Sequence, residues 1–245
     1  MNALALLGAV GIGLSLGLTG AGGSILTLPI LVYLAGVPPI QAVGLSLLIV
    51  GVSALVGAWQ RSRAGEVHFK AAGMFALSGA IGAVLGSPLT HLLSPAALML
   101  TFAALMVVIG VRMLMPANAG PQPLPECNPA RCLTAGLFVG ALTGFLGVGG
   151  GFLLMPALMK FAKLPVKVAT GTSLAVIALN CAAGFLSHLR DAPTPWMMAA
   201  VFSLIAALGV WAGGTVASRL PERELKRTFA ILVLLTAGFV LRKSF

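Results

Sequence analysis

The chain has 245 residues, of which 59% are hydrophobic and 8% are charged, and its mean hydropathy is +1.06. Soluble domains are nearer one half apolar and one quarter charged, so this composition excludes a soluble globular protein, a disordered chain and a fibrous repeat. The net charge of +10 comes without a basic run long enough to bind nucleic acid, and such an excess is expected in the cytoplasmic loops of a membrane protein.

Eight apolar segments are predicted to be helical, because their apolar runs are long and continuous, whereas the strands of a membrane barrel alternate in short segments. One joint is long: residues 116–131 contain five prolines and divide the chain near its middle. The sequence therefore predicts an N-terminal transmembrane repeat at 1–115, a proline-rich cytoplasmic linker at 116–131 and a C-terminal transmembrane repeat at 132–245. The eight segments run over 3–35, 40–59, 70–90, 95–115, 132–162, 166–188, 195–217 and 224–241.

The first and fifth segments are each interrupted by a glycine cluster. The first break is GLTGAGGS at residues 17–24, and the second is GFLGVGGG at residues 144–151. Glycine gives a helix little backbone support, so the helix is expected to stop at each cluster and start again after it. The pieces on either side have about 12–16 residues, which is short of the ~20 residues that a helix needs to cross a bilayer.

The two breaks lie 127 residues apart, and this offset relates much of the two halves. With it, 15 of the 47 positions from 17 to 63 are identical to their counterparts without a gap. Unrelated apolar stretches would share roughly a tenth of their residues by composition alone. The chain is therefore predicted to contain two copies of a four-segment unit, and internal duplication of this kind is typical of secondary transporters.

The distribution of Lys and Arg predicts how the halves are oriented. If each broken segment crossed the membrane once, the basic residues would divide 8 to 7 between the two sides. If each is a hairpin that returns to its own side, they divide 12 to 3, and the richer side is the cytoplasm. Each half then has a hairpin and three full crossings, so the second half is inverted. The predicted fold class is an all-α polytopic membrane protein with two inverted repeats and both termini periplasmic.

The two glycine tips are the candidate binding site, and they are predicted to meet near the midplane of the membrane. At each tip a new half-helix begins, and its first N–H groups have no partner in the helix and carry partial positive charge. Glycine lets an anion approach this backbone closely, and irregular backbone at membrane depth is tolerated only beside protein or a water-filled cavity. The predicted substrate-binding glycines are Gly20, Gly22, Gly23, Gly147, Gly149, Gly150 and Gly151. Hydroxyl and amide donors are expected from Thr19, Ser24, Gln41, Ser46, Thr170, Thr172, Ser173 and Asn180.

Packing and anchoring roles compete with binding for several of these residues. The GxxxG pairs Gly13/Gly17 and Gly82/Gly86 are predicted to serve close helix packing. Isolated Ser and Thr often bond to their own helix, and Asn180 has a helix–helix hydrogen bond as an equal alternative. Arg63 and its copy Arg190, at opposite mouths, are predicted to anchor the helices at the membrane surface, with the gathering of anions as the alternative. No cofactor and no metal site is predicted, since Cys127 and Cys132 alone are a weak metal signal.

The paired motifs GLTGAGGSILTLP and GFLGVGGGFLLMP, with the AVGLSL and ATGTSL stretches that follow them, resemble the TauE/SafE family of sulfite exporters. The resemblance covers both halves. It implies transport of sulfite, thiosulfate, sulfonates or related small anions, often as export. The first tip reads Gly22-Gly23-Ser24 where the second reads Gly149-Gly150-Gly151, so the two half-sites are chemically unequal.

The predicted function is therefore export of small sulfur-containing or organic anions across the cell inner membrane. The expected partners are the anion, the lipid bilayer and, as an open alternative, a second copy of the chain, but no nucleic acid. A proton- or sodium-coupled importer is the main alternative. A membrane-embedded enzyme is disfavoured, because no Asp or Glu lies in a predicted span and Cys181 has no His or Asp near it in the sequence.

Overall fold

The computed structural model describes residues 3–86, 95–115, 128–146, 151–188 and 195–244. Within these residues every regular element is helical, which confirms the predicted all-α class, and the elements are ten α-helices and one short π-helix. The elements are α1 (Ala3–Thr19), α2 (Gly23–Pro29), the π-helix (Ile30–Leu34), α3 (Pro39–Arg63), α4 (Phe69–Gly86), α5 (Pro95–Leu114), α6 (Pro129–Leu146), α7 (Gly151–Phe161), α8 (Val166–His188), α9 (Trp196–Arg219) and α10 (Glu222–Ser244).

Several of these helices suit a bilayer by length and composition. Large apolar side chains lie on outward faces, and Leu55, Val84 and Met197 are 62%, 74% and 78% exposed. Uncovered apolar surface of this extent is stable in lipid rather than in water, so the protein is a multi-pass membrane protein. The four helices that are long and apolar enough to span are Gln41–Arg63, Phe69–Gly86, Val166–Leu186 and Trp196–Arg219, and four shorter apolar helices are Leu4–Thr19, Leu100–Leu114, Pro129–Thr143 and Gly151–Phe161.

The first predicted glycine break coincides with helix ends, and the second lies between the described parts of α6 and α7. Helix α1 ends at Thr19 and α2 begins at Gly23, while α6 ends at Leu146 and α7 begins at Gly151. Gly20 stops α1 because its φ of 74° lies in the left-handed region, which only glycine adopts without strain. The residues 147–150 of the second break lie outside the described part of the chain.

The offset of 127 residues also relates the helices of the two halves. Helices α4 and α9 begin at Phe69 and Trp196, and α5 and α10 begin at Pro95 and Glu222. Even the turns correspond, because Gly36 has φ 68° and Lys163, 127 positions later, has φ 51°. The internal duplication predicted from identities is therefore visible in the helix boundaries.

Corresponding helices of the two halves pack against each other in opposite directions. In the α3–α8 pair, Gly51 faces Cys181 whereas Gly57, further along α3, faces Leu174, which is earlier in α8. Helices α5 and α10 also pack together, with contacts that run in opposite senses along the two helices. The two pairs therefore have the antiparallel packing that an inverted repeat requires, and the inversion itself stays a prediction.

Helices α1 and α3 run in the same direction, which defines the first hairpin. Gly13 packs on Gly209 of α9, and Gly17 packs one turn further on at Gly214. Helix α3 also runs parallel to α9. Gly57 of α3 contacts Val210 of α9, and Gln60, further along α3, donates from its side-chain amide to the carbonyl of Trp211, further along α9, at 3.1 Å. Because α1 and α3 are parallel, the chain between them must run back, and α2 with the π-helix makes this return.

Glycines allow the closest helix contacts between the two halves. A Cβ at Gly82 of α4 would overlap the Leu137 carbonyl of α6, and one at Gly13 of α1 would overlap the Ala206 carbonyl of α9. Gly86 and Gly17 meet the facing backbone in the same way. The packing role predicted for these GxxxG pairs is confirmed, and α4–α6 and α1–α9 form corresponding seams between the halves.

Two local features depart from the predicted segments. Helix α6 begins at Pro129, inside the predicted linker, because the Asn128 side chain accepts a hydrogen bond from the Ala130 N–H at 3.1 Å and caps the helix. The return from the first tip widens into a π-helix after Pro29, where the Ala35 N–H reaches the Ile30 carbonyl at 3.0 Å. The rest of the linker, 116–127, lies outside the described residues.

Candidate functional site

The beginnings of α2 and α7 meet. A Cβ added at Gly151, the first residue of α7, would lie 2.6 Å from Ser24 Oγ in the first turn of α2 and 3.4 Å from the Ala21 carbonyl oxygen. The first tip also rests on α8, since a Cβ at Gly20 would lie 2.9 Å from Ser173 Oγ. Four residues predicted from the two halves are thus brought together at one place.

Hydrogen bonds from side chains hold the first tip in shape. Thr19 Oγ1 donates to the Ser15 carbonyl at 2.6 Å and accepts from the Gly22 N–H at 2.9 Å. Gly22 is the N-cap of α2 and brings no side chain of its own, so Thr19 provides the hydrogen bond at the start of this helix. Ser24 Oγ donates to the Ala21 carbonyl at 2.8 Å.

Helix α8 holds the tip from outside the hairpin. Ser173 is fully buried, and its hydroxyl contacts the Gly20 carbonyl at 3.0 Å and the Thr170 carbonyl at 2.8 Å. Thr172 Oγ1 accepts from the His68 N–H at 3.0 Å and so joins α8 to the start of α4. Thr170 donates to Val166 within its own helix.

Five of the six predicted hydroxyl donors are therefore occupied in this conformation, and the sixth, Thr172, accepts a hydrogen bond from the His68 N–H. Thr19, Ser24, Thr170 and Ser173 all donate to backbone carbonyls, and Ser46 Oγ donates to the Val43 carbonyl at 2.7 Å. These bonds are of the local kind that Ser and Thr usually form in membrane helices. An anion at the tips would have to be bound by backbone N–H groups and by a charged side chain.

The tip glycines 22 and 23 are in contact with protein. A Cβ at Gly23 would lie 2.7 Å from Leu16 Cβ and would overlap the Ile12 carbonyl, so this glycine lets α2 pack on α1. A Cβ at Gly22 would lie 2.5 Å from Leu232 Cδ2 of α10. Both glycines thus have a packing reason, and their binding role stays a prediction. The predicted site glycines Gly147, Gly149 and Gly150 lie outside the described residues.

The two predicted amide residues lie in different places. Asn180 is half-buried and lines a small cleft with Thr143 of α6 and Leu154 of α7, next to the second hairpin. Gln41 is half-buried near the start of α3. It is 20 residues from Arg61, near the other end of that helix, which at 1.5 Å per residue is about 30 Å. Gln41 is therefore far from the first tip.

A buried arginine that sequence reasoning missed lies next to the first tip. Arg61 is 3% exposed, and its Nη1 forms an ion pair with Glu66 Oε2 at 2.5 Å. Its Nη2 lies 3.4 Å from the Gly17 carbonyl near the end of α1, and its Nε has no hydrogen-bond partner among the described residues. A Cβ at Gly171 of α8 would lie 3.0 Å from Arg61 Cβ. Arg61 therefore sits between α1 and α8, immediately beside the tip.

The helical spacing in α3 contains the signal that could have identified Arg61. It follows Ala54 and Ala58 on the buried face of the helix. Arg63, which is exposed, lies on another face and stacks its guanidinium carbon 4.2 Å from the centre of the exposed Trp59 ring. That geometry fits the surface-anchor role predicted for Arg63.

The comparisons with known proteins agree with the resemblance predicted from the glycine motifs. The family model "Sulfite exporter TauE/SafE" matches residues 4–240. A probable membrane transporter protein of Xylella fastidiosa, strain Temecula1, is 34% identical over 240 residues, which cover 95% of this chain and 92% of that protein. The probable membrane transporter protein YunE of Bacillus subtilis is 26% identical over 241 residues, which cover 88% of this chain and 87% of that protein. Through this match over nearly its whole length, the chain belongs to the TauE/SafE sulfite exporter family of membrane proteins.

Proposed function

We propose that this protein transports small sulfur-containing or organic anions, of the sulfite, thiosulfate and sulfonate class, and binds them where the two hairpin tips meet. The observation that carries the proposal is the contact between Ser24 and Gly151, each at the start of a half-helix. The family description supports transport of such anions, and the names of the relatives support transport over catalysis.

The electrostatics of the tips favour an anion. Helix N-termini carry partial positive charge, and two of them converge here. The Arg61 guanidinium adds a full positive charge beside the first tip, balanced by one carboxylate, that of Glu66. A small anion with several oxygen acceptors could therefore use backbone N–H groups and a guanidinium together, without any lipid-exposed charge.

We propose further that the two halves form inverted repeats in the cell inner membrane, with both termini periplasmic. The antiparallel packing of α3 on α8 and of α5 on α10 supports the inversion. The 12-to-3 division of the basic residues supports the placement of both termini on the periplasmic side. Cysteines placed singly at Ser62 and Lys163, in a background without other cysteines, should both resist a thiol reagent added outside cells, whereas one at Asp191 should react. Labelling of Ser62 and Lys163 from opposite sides would contradict this topology.

Export is the proposed direction. The interior of a cell is negative, and each negative charge that moves outward gains about 2.3 kcal/mol per 100 mV. No Asp or Glu lies in the four spanning helices, so the usual intramembrane proton carriers are missing from them. Glu66 and His68 at the α3–α4 turn favour the alternative, a proton-coupled transporter, because both are titratable and close to the first tip.

Flux measurements on purified protein in liposomes test the proposal. Vesicles should take up sulfite, thiosulfate, sulfoacetate or taurine faster than protein-free vesicles do. Gly151→Leu should abolish this flux, because its side chain would collide with Ser24. Gly73→Leu is the matched control, since an added Cβ there meets nothing within 4 Å. Flux equal to that of empty vesicles for every anion tested would contradict the proposed function.

A further inference from the structure

The contacts of Arg61 leave part of its binding capacity unused. A guanidinium has five N–H donors in a planar fork, which suits two or more oxygens at once. Here Nη1 meets a single oxygen of Glu66, Nη2 is 3.4 Å from the Gly17 carbonyl, and Nε is buried without a partner among the described residues. A buried charged donor left unpaired costs free energy, so this arrangement is incompletely satisfied.

The surroundings of Arg61 place it beside residues of the first tip. Gly17, whose carbonyl it approaches, is three residues before the helix-ending Gly20. Gly171 of α8 contacts Arg61 Cβ, and its neighbour Thr170 contacts Gly20. An anion bound at the first tip would therefore be next to this guanidinium.

Glu66 is positioned as a replaceable partner. It lies in the turn between α3 and α4, just after Gly65, whose φ is 71°. Its side chain is 18% exposed whereas that of Arg61 is 3% exposed, so the carboxylate has access to water and the guanidinium does not. Replacing the carboxylate by an oxyanion keeps the charge of Arg61 balanced, which avoids the large cost of a buried single charge.

We propose that Arg61 is an anion-binding residue of the transport site and that Glu66 occupies its guanidinium when no anion is bound. The transported anion and the Glu66 carboxylate then compete for the same group. The second half has no such pair, because His188 and Pro193 stand at the corresponding positions. The inference rests on the proposed function and adds to it a binding residue and a built-in competitor on one side of the site.

The experiment measures the affinity of the purified full-length protein for sulfite, thiosulfate and sulfoacetate, by calorimetry, for variants of the pair. Glu66→Gln removes the charged competitor and should lower Kd for the bound anion by about tenfold or more, since a hydrogen bond to a charged group is worth at least that factor. Arg61→Gln should raise Kd by a similar factor. Arg63→Gln removes the same charge from an exposed position of the same helix and should leave Kd within about twofold.

The neutral double variant Arg61→Gln/Glu66→Gln keeps the experiment decisive if Arg61→Gln alone fails to fold. It leaves no unpaired buried charge, and it should bind as weakly as the single Arg61 variant. Wild-type affinity in this double variant, or in Glu66→Gln, would overturn the inference while leaving transport intact. Absence of binding and flux of every anion in the wild-type protein would instead overturn the proposed function, and the inference with it.

Discussion

The two halves of this protein share helix positions and differ in the residues beside the junction of α2 and α7. Helices α3, α4 and α5 begin 127 residues before α8, α9 and α10, and glycines make corresponding contacts in the α4–α6 and α1–α9 seams. Yet Ser24 faces Gly151 where the tips meet, and Arg61 corresponds to His188. Duplication is consistent with the helix packing, whereas the ion pair of Arg61 and Glu66 beside the first tip has no counterpart of the same residue types in the second half. The proposed site is therefore chemically unequal between the two halves.

The largest expected effect tests the symmetry of the scaffold. Gly82→Leu and Gly209→Leu should both prevent stable folding, because each side chain would collide with the backbone of a facing helix. Overpacking of this kind typically costs 1–3 kcal/mol or more, and backbone collisions belong at the upper end, about 3 kcal/mol. Thermal unfolding in detergent gives the comparison, and Gly73→Leu is the tolerated control. If only one of the two variants failed to fold, the α4–α6 and α1–α9 seams would not be equivalent.

The next effect separates two arginines of one helix. Arg61→Gln should lower the free energy of unfolding by about 3 kcal/mol, because it leaves the partly buried Glu66 carboxylate without its partner. Arg63→Gln should change it by less than about 1 kcal/mol, since its guanidinium is exposed over Trp59. Denaturant titration of both variants measures the difference. Equal losses would mean that the ion pair has no special role in the first half.

Exchange of the tip residues sharpens the comparison at the site itself. Gly151→Ser alone should reduce anion flux and cost about 1–2 kcal/mol, because two hydroxyl groups would occupy the space of one. The double variant Ser24→Gly/Gly151→Ser should recover most of this loss, since one hydroxyl again fills the joint. Flux and thermal unfolding are measured for the two single variants, Ser24→Gly and Gly151→Ser, and for the double variant, which completes a double-mutant cycle. Purely additive losses would show that these two residues do not share one space.

The smallest effect concerns two equivalent turns. Lys163 has φ 51° in the left-handed region, so Lys163→Gly should stabilise the protein by about 1 kcal/mol. Gly36→Ala should destabilise it by a similar amount, and only through the backbone, because a Cβ there meets nothing within 4 Å. Melting temperatures measured in one detergent decide the signs, and opposite signs at the two sites support the equivalence of the turns. A gain in stability for Gly36→Ala would contradict it.

Much of the fold follows from sequence patterns with a direct physical cause. Hydropathy locates the helices, glycine clusters locate the breaks, and GxxxG spacing locates the seams. The π-helix after Pro29 was not predictable, because Pro156 stands at the corresponding position in α7, which remains α-helical.

The site was predicted only in part. The sequence indicated the meeting of the tips, but not that the hydroxyls of Thr19 and Ser173 would bond to backbone carbonyls, which depends on rotamers. Arg61 was missed because a basic residue near a helix end usually extends to the membrane surface. Its spacing from Ala54 and Ala58 on the buried face is the better guide.

Electrogenic efflux is the most direct test of the account. Proteoliposomes loaded with sulfite, thiosulfate or sulfoacetate should release the anion faster when the interior is made negative. At 100 mV, the gain of about 2.3 kcal/mol per charge favours the outward side roughly fiftyfold at equilibrium. Dependence of the efflux on potential alone is the predicted result. Efflux that ignores the potential and requires a pH or sodium gradient would contradict uncoupled export, and no efflux above that of empty vesicles would contradict anion transport.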